Sequence, residues 1–396
     1  MERKEAVIIS AARTPFGSYG GSLKDIHVTD LGSIVIKETV RRAGISGDLV
    51  DYAIMGIVVQ AGGGQVAART ATIKAGLPVS VGSDTLNKAC ASGLRAVTLA
   101  EQMIRCGDVD TVIAGGMENM SQTPYLVRGA KWGLRMGHGQ IEDSMLADGL
   151  LCPHENVHMI ILGSRLAQRN GISREDQDRW ALRSQQHTSQ AIKEGKFKEE
   201  ITPVPIPQKK GEPKLFEVDE FPRSDTTLEK LAQLPPAFSK DGSVTAGNAP
   251  GVNDGAGALL IMARNKAKEL GLKPLATIVS HAWAAAPTPE LDSGVSIAIK
   301  KLLEKNRLSP NDIALYEINE AFAAVALAVI KRIGLEADRV NVNGGAIALG
   351  HPVAATGARI LMTLIYELRR RKKELGLAGI CSGQSQGDAV LLRIEE

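Results

Sequence analysis

Cysteine is scarce in this chain, with four in 396 residues, at positions 90, 106, 152 and 381. They show neither paired metal-ligand spacing nor the density of a secreted disulfide scaffold, so their interest lies in the reactivity of single thiols. An excess of one charge is missing too: 47 Lys and Arg against 44 Asp and Glu leave +3, spread along the chain. That balance argues against a nucleic-acid partner and is compatible with a small anionic ligand. Long apolar runs are also absent. The longest, Ala321 to Ile330, lies between Glu320 and Lys331 and is far too short to cross a bilayer, so no membrane helix is expected. The opening Met1-Glu2-Arg3-Lys4-Glu5 leads into only a brief apolar run, and its acidic residues argue against a mitochondrial presequence. The expected compartment is the cytoplasm.

What is present is an ordinary globular composition, 44% apolar and 23% charged, in a chain long enough for two or three compact units. Strand and helix signals alternate at both ends, which predicts layered α/β architecture. Val7-Ile8-Ile9 reads as a first strand, and Thr29-Asp30 as the cap of a helix running to Arg42 and stopping at Gly44. After Cys90, the residues Leu94, Val97, Ala100 and Ile104 recur at helical spacing up to Gly107, and Thr111 to Ala114 reads as the next strand. Late in the chain a strand-like Val340-Asn341-Val342 precedes Gly344-Gly345. A helix with Leu361, Leu364, Ile365 and Leu368 on one face follows, then a strand Ala378-Gly379-Ile380 ending at Cys381. The two ends share a layout, which suggests an internal duplication of architecture without a clean sequence repeat. Between roughly Ser121 and Thr245 the chain is more polar, with a helix from Ser173 to about Ala191. There Thr202-Pro203-Val204-Pro205-Ile206-Pro207 cannot be an interior strand or helix, and Lys209-Lys210-Gly211 suggests an exposed excursion. This middle reads as a loop domain.

Four segments carry reactive groups. Asn87-Lys88-Ala89-Cys90-Ala91-Ser92-Gly93 sets a thiol among small neighbours at the start of a helix, where the positive end of the helix favours a thiolate. Asn343-Gly344-Gly345-Ala346-Ile347-Ala348-Leu349-Gly350-His351-Pro352 brings an imidazole into a backbone-exposing stretch, where it can take a thiol proton or simply bond to the loop. Cys381-Ser382-Gly383 is a second thiol at a strand end, suited to acid or base work. Asn319-Glu320-Ala321-Phe322 places an amide and a carboxylate ahead of a small-residue helix, for which capping is the plain explanation.

In order and spacing these segments resemble the thiolase family over nearly the whole chain. Gly115-Gly116-Met117-Glu118-Asn119-Met120-Ser121 and Gly247-Asn248-Ala249-Pro250-Gly251-Val252-Asn253-Asp254-Gly255-Ala256 are similar to thiolase segments as well. The resemblance is strongest to the short-chain branch that condenses two acetyl-CoA. It implies two similar layered α/β halves in an α-β-α-β-α stack: residues 1–120 completed by about 246–270, and residues 271–396, with a loop domain at 121–245 inserted in the first. It also implies a homo-oligomer, dimer or tetramer, and ping-pong chemistry without metal or redox cofactor on acetyl-CoA, acetoacetyl-CoA and CoA. By resemblance Cys90 is the nucleophile, His351 takes its proton, and Cys381 removes a methyl proton from the second acetyl-CoA. His351 and a water held by Asn319 then face the enolate oxygen, while the N–H groups of Cys90 and Gly383 serve the tetrahedral intermediates. The acyl-CoA would meet His158, Met159, Ala249, Pro250, Ala321 and Phe322, with Arg223 at its nucleotide end.

Some positions depart from the family pattern. Ile160 stands where His-Met-Gly has glycine; it cannot take up positive φ and adds bulk beside the acyl pocket. Pro250 replaces a frequent serine, Gln384 and Ser385 replace glycines after Cys381-Ser382-Gly383, and Ala354 replaces another glycine. The rival readings are a 3-ketoacyl-CoA thiolase of broader chain length, a ketoacyl synthase, and a non-catalytic CoA-binding scaffold. A second cysteine opposes the synthase, and an intact set of reactive side chains opposes the scaffold.

Overall fold

The computed structural model describes residues 4–287 and 291–395, so Met1–Arg3 of the opening segment lie outside the described residues. Among the described residues one sheet runs through nine strands, β1 (Ala6–Arg13), β2 (Tyr52–Gly56), β3 (Gly82–Leu86), β4 (Thr111–Asn119), β5 (Asn253–Ala263), β6 (Ala276–Ala285), β7 (Leu315–Ile318), β8 (Leu375–Ser382) and β9 (Gln386–Ile394), with a tenth, two-residue strand at Gly17–Ser18 paired to β5. The principal helices are α1 (Val28–Ala43), α2 (Ala67–Lys74), α3 (Ser92–Cys106), α4 (Met159–Asn170), α5 (Arg174–Lys193), α6 (Ser293–Asn306), α7 (Ala323–Ile333) and α8 (Thr356–Arg371).

The strands run in the order β7-β8-β9-β6-β1-β5-β4-β2-β3. In the first half β2 pairs parallel with β3 and β4, while β5 pairs antiparallel with β4 and β1. The second half has the same mixture: β7 is parallel to β8, and β9 is antiparallel to β8 and β6. The halves meet edge to edge through Val7 opposite Thr277 and Ile8 opposite Ala276. Matching register shifts interrupt β1 between Ile8 and Ser10 and β6 between Ile278 and Ser280, so the internal likeness extends to a bulge.

Three layers of helix cover the two sheet regions. Leu94, Val97 and Ile104 of α3 and Leu361, Leu364 and Ile365 of α8 pack between Ile8, Val112 and Leu259 of one half and Leu315, Ile380 and Val390 of the other. Outside the first sheet, α1 and α2 close over Val7, Met55 and Met117; outside the second, α6 and α7 close over Leu377 and Leu391. The stack is therefore α-β-α-β-α. Every residue of β1, β4 and β5 is buried, as expected of strands covered on both faces.

Local differences from the sequence expectation have physical causes. The cap of α1 is His27, whose Nδ1 accepts from Thr29 N at 3.3 Å; Thr29 and Asp30 already lie in the first turn, where Asp30 complements the helix dipole. Ser173 does open α5, in a capping box with Asp176, but the helix runs to Lys193. Val340-Asn341-Val342 is not a strand. Asn341 has φ +48, and its side chain takes the place of a ladder by accepting from Ile318 N and donating to Ile318 O, both at 2.8 Å. Val204–Ile206 is a short strand paired only with Lys214–Phe216, with Pro205 exposed, which avoids the interior position proline cannot occupy.

The segment between β4 and β5 carries α4 and α5 and is fastened to β1 by a buried ion cluster. Arg13 donates to both oxygens of Asp219 at 2.7 and 2.9 Å and to Glu200 at 2.8 Å. Burial alone would lower the guanidinium pKa; the two carboxylates override it and raise it. No helix among the described residues is long and apolar enough to cross a membrane.

Candidate active site

Cys90 sits in the turn between β3 and α3, two residues ahead of the helix. The turn is strained: Ala89 has φ +44, a region an alanine rarely occupies. It is held by Asn87, whose Oδ1 accepts from Ala89 N at 3.0 Å and whose Nδ2 donates to Val58 O at 3.1 Å. Ser92 Oγ accepts from Lys88 N at 2.8 Å and donates to Ala89 O at 2.7 Å. The helix start does not make the thiol acidic. Burial pushes it up to about 12, helped by the Glu118 carboxylate and opposed only by its own N–H, so desolvation outweighs the helix end.

His351 follows the short helix Ala346–Leu349 through Gly350, where φ is +100 and an added Cβ would lie 2.6 Å from Asn253 Cγ. Asn253 Oδ1 accepts from His351 N at 2.9 Å. The ring's Nδ1 lies 2.6 Å from Thr356 Oγ1, and that hydroxyl donates to Pro352 O at 2.9 Å. With its one proton committed to Pro352, Thr356 can only accept from Nδ1–H, which leaves Nε2 bare in the neutral ring. Nε2 is buried and has no hydrogen-bond partner among the described residues. Burial, then the Arg359 guanidinium, lowers the imidazole pKa to about 3.

Cys381 is the penultimate residue of β8, opposite Gly387. Its thiol pKa is raised by burial and further by the nearby Cys90. The following turn bends through Gln384 at φ +63 and Ser385 at φ +57, a region that glycine would occupy without strain. Ser382 Oγ donates to Lys88 O at 2.5 Å, so the turns of the two thiols touch.

One cavity of about 690 Å³ joins these groups. Cys90, Cys381, Gly383, His351, His158, Met159, Ala249, Pro250, Ala321 and Phe322 all line it. Two expected residues lie elsewhere. Asn319 is fully buried outside that lining, its N donating to Gly379 O at 2.9 Å, and neither side-chain amide atom has a hydrogen-bond partner among the described residues. Arg223 is exposed and lines a separate cavity of about 190 Å³ with Gln185, Phe221, Leu231 and Gly247, its guanidinium 5.3 Å from the Phe221 ring. Asn319 and Glu320 do not cap α7, whose cap is Phe322. Glu320 instead accepts from Trp180 Nε1 (2.9 Å) and Ser184 Oγ (2.8 Å) of α5 and from Asn341 Nδ2 and Ile347 N (both 3.1 Å), tying α5 to the approach of His351.

Ile160 needs no positive φ, because it lies in the first turn of α4; it lines the cavity. His158 caps that helix, Nδ1 accepting from Ile160 N at 3.2 Å, and its ring stacks on Phe238 at 4.2 Å. Burial lowers its pKa.

Phe238, Thr356 and the role of Glu118 were not legible in the sequence. Glu118 accepts from Val58 N (3.0 Å), Val59 N (3.2 Å) and Ala354 N (3.2 Å), pinning the loop behind Cys90 to the loop after His351. Burial raises its pKa to about 7 against those three donors. Its place in Gly115–Ser121 was the available signal.

Two thiols and a bare imidazole nitrogen on one cavity, between duplicated α/β halves, define the class: this chain belongs to the thiolase family. Residues 6–265 match the thiolase N-terminal domain and residues 272–394 the thiolase C-terminal domain. Among its relatives, the acetyl-CoA acetyltransferase of Pseudomonas aeruginosa is 50% identical over 389 residues, 98% of this chain and 99% of that one. That of Cupriavidus necator is 50% identical over 386 residues, 98% of each. The crystal structure of the Bacillus anthracis acetyl-CoA acetyltransferase superposes with a TM-score of 0.97 at 42% identity, covering all of both chains.

Proposed function

We propose that this protein is an acetyl-CoA acetyltransferase that condenses two acetyl-CoA into acetoacetyl-CoA and CoA, and catalyses the reverse thiolysis, through an acetyl-Cys90 intermediate. The observation that carries the reading is the bare Nε2 of His351 on the cavity shared with Cys90 and Cys381. The names and full-length identity of the relatives support it.

In the resting state the thiol stays protonated and the imidazole neutral, since burial disfavours both charged forms. Cys90 gives its proton to Nε2 as its sulfur attacks the acetyl carbonyl, with the N–H groups of Cys90 and Gly383 facing the oxyanion. The C–S bond to CoA breaks, and CoA leaves with the proton of Cys381. His351 now carries Nε2–H and Cys381 is a thiolate. Cys381 takes a methyl proton from the second acetyl-CoA while Nε2–H, with a water held by the unpartnered amide of Asn319, donates to the enolate oxygen. The enolate carbon attacks acetyl-Cys90, the C–S bond breaks, and Cys90 recovers its proton from His351. Each thiol ends protonated, and the imidazole ends neutral.

CoA enters past His158, Met159, Ala249 and Pro250, with its nucleotide end toward the Arg223 cavity. The protein acts as a homo-oligomer, dimer or tetramer, in the cytoplasm. Trp132 and Met136, both highly exposed, give a surface suited to a second copy, which light scattering tests. The activity is tested by incubating the protein with acetyl-CoA and measuring acetoacetyl-CoA and free CoA in equal amounts. Neither product forming would reject it.

A further inference from the structure

Lys88 does not line the substrate cavity, yet its contacts join the turn of one thiol to the turn of the other. Its backbone N donates to Ser92 Oγ at 2.8 Å, and its carbonyl accepts from Ser382 Oγ at 2.5 Å. Its Nζ forms an ion pair with Asp388 Oδ2 at 2.7 Å; the two side chains are 17% and 2% exposed. The Trp283 ring lies 5.8 Å from the same ammonium, a cation–π arrangement. Lys88 and Trp283 line a second cavity of about 590 Å³ with Arg95, and Gly383 and Gln384 belong to the walls of both this cavity and the substrate cavity.

The placement of the two Lys88 partners matters. Ser382 is the residue after Cys381, and Asp388 stands opposite Ile380, the residue before it, in the β8–β9 ladder. The two contacts therefore straddle Cys381. At the other end Lys88 is separated from Cys90 only by the strained Ala89. Asp388 is buried, and burial raises its carboxyl pKa against the pull of Lys88. A buried carboxylate is held ionised only by a fixed cation, so this pair has little freedom to drift.

We propose that Lys88, with Asp388 and Ser382, is a positioning clamp that sets the spacing between the Cys90 and Cys381 sulfurs. This rests on the two-thiol reading above. Acetylation asks of Cys381 only a proton for the departing CoA thiolate, which solvent also supplies, so it tolerates a displaced Cys381 far better than condensation does. Condensation needs the methyl carbon of the second substrate to meet the Cys381 base on one side and acetyl-Cys90 on the other, so it depends on the spacing.

The test compares Lys88→Met/Asp388→Asn, which removes both charges and leaves no buried ion unpaired, with Ser382→Ala. Each is incubated with acetyl-CoA alone. Acetylation of Cys90 is followed by intact mass, and condensation by steady-state formation of acetoacetyl-CoA. Acetylation should remain near the wild-type rate in both variants, while kcat for condensation falls roughly ten- to a hundredfold, as for a displaced reacting group, with KM for the second acetyl-CoA little changed. Equal loss of acetylation and condensation would reduce the clamp to general structural support and overturn the proposal. So would full condensation activity in both variants. A wild-type protein that never acetylates would instead reject the function on which the proposal rests.

Discussion

Thr356 decides which nitrogen of His351 is free. With its hydroxyl donating to Pro352 O, Thr356 accepts from Nδ1–H, the tautomer that leaves the base at Nε2 ready without any charged partner. Thr356→Val keeps the shape and removes the acceptor, letting the other tautomer form. The rate of Cys90 acetylation should fall about tenfold, the equivalent of one lost hydrogen bond, with thermal stability changed by about 1 kcal/mol. Rapid-mix mass spectrometry measures it, and an unchanged rate would show that the tautomer is fixed otherwise. At this scale the reactive side chains are legible in the sequence and their environment is not. Cys90, His351 and Cys381 stand in distinctive small-residue segments. Thr356 is an ordinary threonine at a helix start, and its role exists only once the chain turns back on itself at Pro352. The helix end that favours a Cys90 thiolate is visible in the sequence, whereas the desolvation that outweighs it is not.

Helix α4 and the turn after β8 carry Ile160, Gln384 and Ser385, three of the positions that the sequence sets apart from the thiolase resemblance. Ile160 was expected to trouble the backbone, yet it is helical and acts only through its side chain, which forms part of the cavity wall. Ile160→Ala removes that bulk while preserving the helix. It should extend activity to longer 3-ketoacyl-CoA thioesters, raising the ratio of C6 to C4 thiolysis by roughly ten- to a hundredfold, the worth of a few methylenes in an apolar pocket. Kinetics across chain lengths decide it, and an unaltered profile would remove Ile160 from the acyl wall. Elements with strong periodicity were legible: α3 runs to Gly107, and α8 follows its Leu361, Leu364, Ile365 and Leu368 face. The region from Val340 was not, because one left-handed asparagine whose side chain replaces the ladder looks, in the sequence, like any other residue between two valines.

The whole molecule buries acids as well as apolar surface. Burial raises Glu118 to about 7, Glu317 to about 8 despite Arg359, and Asp254 to about 6. Over the range between the unfolded carboxylate pKa and these values, the folded chain holds more protons than the unfolded one, so stability falls as pH rises. His351, lowered from 6.5 to about 3, and the lowered His158 and His187 act in the opposite sense, but only below the imidazole pKa of the unfolded chain. Above that the acids act alone, and the raised thiols of Cys90 and Cys381 extend the trend toward alkaline pH. The thermal midpoint should therefore drop by roughly 2–6 °C between about pH 6.5 and 8.5, seen by calorimetry at constant ionic strength. A rise over that interval would contradict the burial argument. The layered duplication that creates these interiors was foreseeable from the alternating elements at the two ends. The Arg13 cluster that anchors the inserted segment was not, since Arg13, Glu200 and Asp219 lie far apart in the chain.

The central claim is a division of labour between two buried thiols on one cavity, and intact-mass measurement after incubation with acetyl-CoA tests it most directly. The wild-type protein and Cys381→Ser should each gain one acetyl group at Cys90, while Cys90→Ser gains none, because an alkoxide is far harder to form than a thiolate. Condensation should be lost from both variants, in Cys381→Ser by roughly a hundred- to ten-thousandfold as for a missing general base. A stably acetylated Cys90→Ser protein, or a Cys381→Ser protein with full condensation activity, would contradict the assignment.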